Sequence, residues 1–181
     1  MIAASLIALA TAPVAPTPPE SPSEEARHLI GAAASYALSN KSVGLPGPGN
    51  PTYYEASAWY AYRLLGPLHL GLIGDAGSLA GSVSILLDVH GSIGSHLAIG
   101  LGVANGPAWY WERQLRTLEV RGGRLAAHAE MLARITSSIS LGARVGFVMS
   151  SFKQRSDVEP SDEVAHYYWA WPAGVVVDIR L

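Results

Sequence analysis

From about residue 53 to its last residue the chain alternates, with a period of two, between bulky apolar side chains and small or polar ones. Successive side chains of a β-strand point to opposite faces, whereas a helix repeats every 3.6 residues, so this rhythm specifies strands. The final segment is the clearest. Tyr167, Trp169, Trp171, Ala173, Val175, Val177, Ile179 and Leu181 form one row, and Tyr168, Ala170, Pro172, Gly174, Val176, Asp178 and Arg180 lie between them. Leu141–Met149, Leu125–Ile135, Leu97–Val103, Val83–Val89, Leu68–Leu72 and Tyr54–Leu64 alternate in the same way. A weaker strand is read at Leu29–Ser39, which makes eight. Ser21–Glu25 also carries a helix start, a capping Ser, a Pro and acids in the first turn. A helix running to Leu38, with a replacement strand at 108–121, is therefore the competing count. Segment 108–121 bears charge on both faces (Glu112, Arg113, Arg116, Glu119) and reads better as an outer loop or protruding hairpin.

The two rows differ in charge. The bulky row carries none; the other holds Glu55, Arg63, Asp75, Asp88, Glu130, Arg134, Arg144, Asp178 and Arg180, no Lys, and much Gly, Ala and Ser. A soluble barrel points its apolar row inward and wets the other with Lys, Thr and Glu. Bulky Leu, Val and Trp would overfill a small bore, whereas small residues and paired charges fit it. The greasy row therefore faces lipid, where a charge at mid-membrane costs about 2–4 kcal/mol. Composition agrees: 14% of residues are charged, against roughly 25% in an average domain. A net charge of −2 leaves no footprint for nucleic acid, and the absence of Cys excludes disulfides and thiol chemistry. No run of apolar residues is long enough for a spanning helix.

The connections have a matching rhythm. Short turns at Leu65–Pro67, Gly91–Ser95 and Thr136–Ser138 alternate with longer polar connections at Lys41–Thr52, Asn105–Arg124 and Phe152–Val164; the short link Gly77–Gly81 is the exception. Tyr54, Tyr167, Trp169 and Trp171 gather where the long connections begin and end, as an interfacial aromatic girdle. On strand pattern and loop rhythm, residues 28–181 resemble the small eight-stranded outer-membrane β-barrels of the OmpA/OmpX type. The resemblance implies an all-β, antiparallel, up-and-down transmembrane barrel in the bacterial outer membrane. It also implies a monomer whose partners are the lipid bilayer, lipopolysaccharide and the barrel-assembly machinery. Such barrels usually end in an aromatic residue, and here Leu181 stands last. Residues 1–10 read as a signal peptide, with cleavage between residues 10 and 15, and the Pro-rich 11–27 as a periplasmic tether.

Inside the barrel a network of ion pairs is expected among Glu130, Arg144, Glu55, Arg63, Asp88, Arg134, Asp178 and Arg180, because buried charges persist only when paired. Equal spacing from the turns sets Glu130 opposite Arg144, His90 opposite His96 and Arg63 opposite His69, with His69 facing Asp88 or His90. His69, His90, His96 and Asp88 form a candidate transition-metal set near the periplasmic rim. Trp109, Trp111, Arg113 and Arg116 form a candidate loop surface for an extracellular ligand, and Arg121 and Arg124 extend it toward lipopolysaccharide phosphates. No catalytic residue and no cofactor is assigned. The function read from the sequence is a plugged, salt-bridged barrel with a structural or loop-mediated adhesive role. A lipid A-modifying enzyme using His128, Glu130 or His166, a small channel and a soluble lipocalin-like carrier are the alternatives.

Overall fold

The computed structural model describes residues 27–41, 52–78, 80–110, 120–154 and 164–181. Eight strands follow one another: β1 His28–Lys41, β2 Thr52–Leu65, β3 Leu68–Gly77, β4 Ala80–Ile93, β5 Leu97–Tyr110, β6 Val120–Arg134, β7 Ile139–Gln154 and β8 Val164–Arg180. Each pairs antiparallel with its neighbours in sequence, and β1 pairs with β8, so the sheet closes into a barrel. Closure removes every strand edge, which a lipid-immersed sheet requires because no water is there to satisfy free N–H and C=O groups.

The expected eight strands are present, and the Ala-rich segment before Leu38 is strand β1 rather than a helix. The described ends of the competing strand at 108–121 belong to two different elements. Residues up to Tyr110 continue β5, and residues from Val120 begin β6, with Trp109 paired to Arg121 and Ala108 to Gly122. The signal-peptide and tether residues up to 26 lie outside the described residues. The tight turns after β2 and β4 use Gly66 (φ 53°) and Gly94 (φ 67°), conformations that a side chain disfavours.

The orientation is the lipid-facing one. Tyr54, Leu72, Ile85, Leu101, Met131, Val145, Trp171 and Val175 are exposed on the outside, whereas Asp88 and Asp178 have 0% of their surface accessible. Glu55, Asp75, Arg124, Glu130 and Arg144 are also buried. The bore is filled by side chains. Trp59, Ile73, Leu86, Leu132 and Val176 pack as an apolar cluster among the charges. Trp59 fits because Gly31 stands opposite it in β1: a Cβ there would lie 2.0 Å from the indole ring.

Candidate functional site

The polar interior is built from register rows, because residues paired across neighbouring strands project together into the bore. Near the long connections, Arg124 of β6 reaches across to Glu55 of β2 in a two-pronged ion pair, with Nη1 and Nη2 each donating to one carboxylate oxygen at 2.7 Å. Its Nε lies 3.6 Å from Asp75 of β3. Asp75 accepts hydrogen bonds from the Ser57 and Ser82 hydroxyls, both at 2.7 Å. Arg124 thus belongs to the interior and not to the outer loop surface expected for it. Gly122 and Gly123, which precede it, are paired strand opposite Ala108 and Pro107.

Deeper in the bore, Glu130 is paired with Arg144 as the Thr136–Ser138 turn requires. Arg144 donates from Nε and Nη2 to Glu130 Oε1, at 2.6 and 2.5 Å. The guanidinium also lies 4.0 Å over the Trp59 ring, a cation–π contact between two buried side chains. Alternation sets Trp59 on the inner row with Glu55 and Arg63, but its contact with Arg144, on a strand far away in sequence, has no signal in the pattern. Asp88 of β4 accepts a hydrogen bond from His90 Nε2 at 2.7 Å. His128 Nε2 sits between Asp88 (3.8 Å) and Glu130 (3.7 Å), and His90 Nδ1 lies 3.8 Å from Asp178.

Three members of the expected metal set, His69, Asp88 and His90, lie together, and His96 stands apart. His69 pairs with Asp88 across β3 and β4 and with Arg63 across β2 and β3, and its ring packs edge-on to His90 at 5.5 Å. His96 does not pair with His90. The turn is tighter than expected, so strand β4 runs on to Ile93, His90 faces Gly100, and His96 sits exposed in the turn beside the Ser95 hydroxyl. Toward the short turns, Arg134 donates to Ser92, Arg63 donates to the Gly66 carbonyl, and Arg180 is half-buried beyond Asp178.

On the outside, Tyr54 packs at a tilt against Tyr36 (5.3 Å) and Trp171 against Phe147 (4.8 Å). Together with the exposed Tyr167, Trp169 and Trp109 they form an aromatic band on the long-connection side. A second band, Tyr60 and Tyr62 with His28, rims the opposite end, where His28 shares a 2.7 Å hydrogen bond with the Tyr60 hydroxyl. Of the candidate loop surface, Trp109 is on β5, and Trp111, Arg113 and Arg116 lie outside the described residues.

A closed eight-stranded antiparallel barrel with an apolar wall, two aromatic rims and an ion-paired bore is a transmembrane barrel of the kind found in outer membranes. Solved structures share this fold at low identity. Neisserial surface protein A has a TM-score of 0.61 at 12% identity, covering 85% of this chain and 97% of that one. The N-terminal β-barrel domain of Pseudomonas aeruginosa OprF has a TM-score of 0.50 at 12% identity, covering 86% and 99%. The outer membrane protein AlkL has a TM-score of 0.50 at 10% identity, covering 91% and 96%. No protein-family model and no curated protein matches the sequence.

Proposed function

We propose that the protein is an integral outer-membrane barrel of a Gram-negative bacterium, a monomer whose bore is plugged and whose role is structural or adhesive through its long connections. The observation that carries this reading is the inversion of the wall: bulky apolar rows outside, with Asp88, Asp178, Glu130, Arg144, Glu55 and Arg124 buried inside. In water such a surface would associate indiscriminately, which argues against a lipocalin-like carrier. The bilayer, lipopolysaccharide at the outer aromatic rim and the barrel-assembly machinery are the partners this implies. An extracellular ligand would meet Trp109 at the end of β5 and the connection carrying Trp111, Arg113 and Arg116.

A plug rather than a pore is supported by Trp59 and Leu132 packed across the bore and by the Glu55–Arg124 and Glu130–Arg144 pairs. A lipid A-modifying role is disfavoured because His128 and Glu130 project into the bore rather than toward acyl chains. The test is outer-membrane fractionation with heat-modifiable gel migration, followed by planar-bilayer recording of the purified barrel. The expected outcome is a heat-modifiable membrane protein without steady conductance. A steady open conductance would overturn the plug, and recovery in the soluble fraction would overturn the membrane assignment.

A further inference from the structure

We propose that the middle of the bore is a binding site for a divalent transition-metal ion, held by His90 Nδ1, Glu130 Oε2 and a carboxylate oxygen of Asp178. These residues come from β4, β6 and β8, and their ligand atoms lie within 4.8 Å of one another. His90 Nδ1 is 3.8 Å from Asp178 Oδ2. Donors about 2.1 Å from a common ion sit about 3–4 Å apart, so small side-chain rotations complete the site.

Four further observations converge on a cation. First, the converging atoms are orphans: His90 Nδ1, Glu130 Oε2 and both Asp178 oxygens are buried without a hydrogen-bond partner. A buried carboxylate with neither oxygen satisfied is a costly arrangement unless something positive meets it. Second, the outer shell is that of a metal-binding histidine. Asp88 accepts a hydrogen bond from the Nε2–H of His90, which leaves the Nδ1 lone pair pointing inward, and Arg144 fixes Glu130 through its other oxygen. Third, the formal charges are unbalanced: with His90 and His128 neutral, Asp88, Glu130 and Asp178 carry three negative charges and Arg144, bonded to Glu130, carries one positive, so a divalent ion would cancel the excess of two. Fourth, the space is kept open. Gly100 of β5 lies in register between His90 and Glu130, and a Cβ there would crowd Glu130 Oε2 and His90 Cε1, both at 3.2 Å.

One imidazole nitrogen with two carboxylate oxygens suits Zn2+, Mn2+ or Fe2+, with water completing the coordination. This set shares only His90 with the one legible in the sequence. Its other ligands come from strands that no short turn links to β4. A bound ion would tie β4, β6 and β8 together across the bore.

The experiment uses the full chain, refolded in chelator-treated detergent and checked by heat-modifiable migration. It is then equilibrated with Zn2+, Mn2+ or Co2+, freed of excess and analysed for metal content. The folded wild type is expected to retain about one ion per chain, to show visible Co2+ absorption bands, and to melt at higher temperature with metal than with chelator. Asp178→Asn is expected to fold, since it removes a buried charge that has no hydrogen-bond partner, and to lose retention and the melting shift. Asp88→Asn, which only orients His90, is expected to weaken binding about 10–100-fold. His90→Gln serves as the second ligand variant should Asp178→Asn misfold. Folded wild type that retains none of the three ions would overturn the proposal; Arg134, Arg180 or a proton would then balance the layer. Unchanged retention in a folded ligand variant would overturn it equally.

Discussion

Arg124 and Glu55 approach from opposite walls of the bore, and their two-pronged geometry makes each the other's counter-charge. Removing one partner of a buried pair strands the other, at about 3–5 kcal/mol, whereas removing both is close to neutral. Arg124→Met is therefore expected to lower stability by about 3 kcal/mol, because Glu55 and the neighbouring Asp75 lose their cation. Adding Glu55→Gln in the same chain is expected to restore much of it, read by urea unfolding in lipid vesicles. The Glu130–Arg144 pair was legible before the fold was known, because one short turn fixes which residues of β6 and β7 are opposite. The Arg124–Glu55 pair was not. Its members are 69 residues apart, and only the curvature of the closed sheet brings them together.

Strands of a narrow barrel must bend sharply, and their glycines record where. At Gly142 of β7 a Cβ would lie 1.9 Å from the Met131 carbonyl oxygen of β6, an obstacle that cannot rotate away. Gly142→Ala is therefore expected to block closure, seen as loss of the heat-modifiable folded band. Gly74→Ala, at a position with nothing within 4 Å, is expected to refold like the wild type. The outward rows impose a second constraint on each strand. Leu101 stands exposed near the middle of the β5 wall, and Leu101→Arg is expected to cost about 2–4 kcal/mol in vesicles. Ile135→Arg, beside the β6–β7 turn, is expected to cost at most about 1 kcal/mol. Alternation made these strands readable, but not their ends: β5, β6 and β7 run on into what looked like outer loops, since backbone pairing above the membrane needs no apolar row.

For the molecule as a whole, short turns on one rim and long connections on the other lead to the expectation that the short turns face the periplasm. The chain contains no Cys, so a single introduced thiol is a unique label. Ser138→Cys, in the exposed β6–β7 turn, is expected to react with a membrane-impermeant maleimide only after the outer membrane is opened. Labelling of intact cells would reverse the orientation. By itself the sequence determined the alternating strands from residue 53 onward and which row of each faces lipid, and left open whether the segment before Leu38 is strand or helix. The reason is that a charge-free greasy row has one low-energy surrounding, and a slip of one residue would exchange the two faces. Only the tertiary structure decided how the interior is assembled: the tightness of the β4–β5 turn that moved His96 away from His90, the Gly31 gap that admits Trp59, and the meeting of His90, Glu130 and Asp178. Those outcomes depend on turn geometry and on how far the closed sheet is sheared, and both are properties of the whole ring of strands rather than of any one of them.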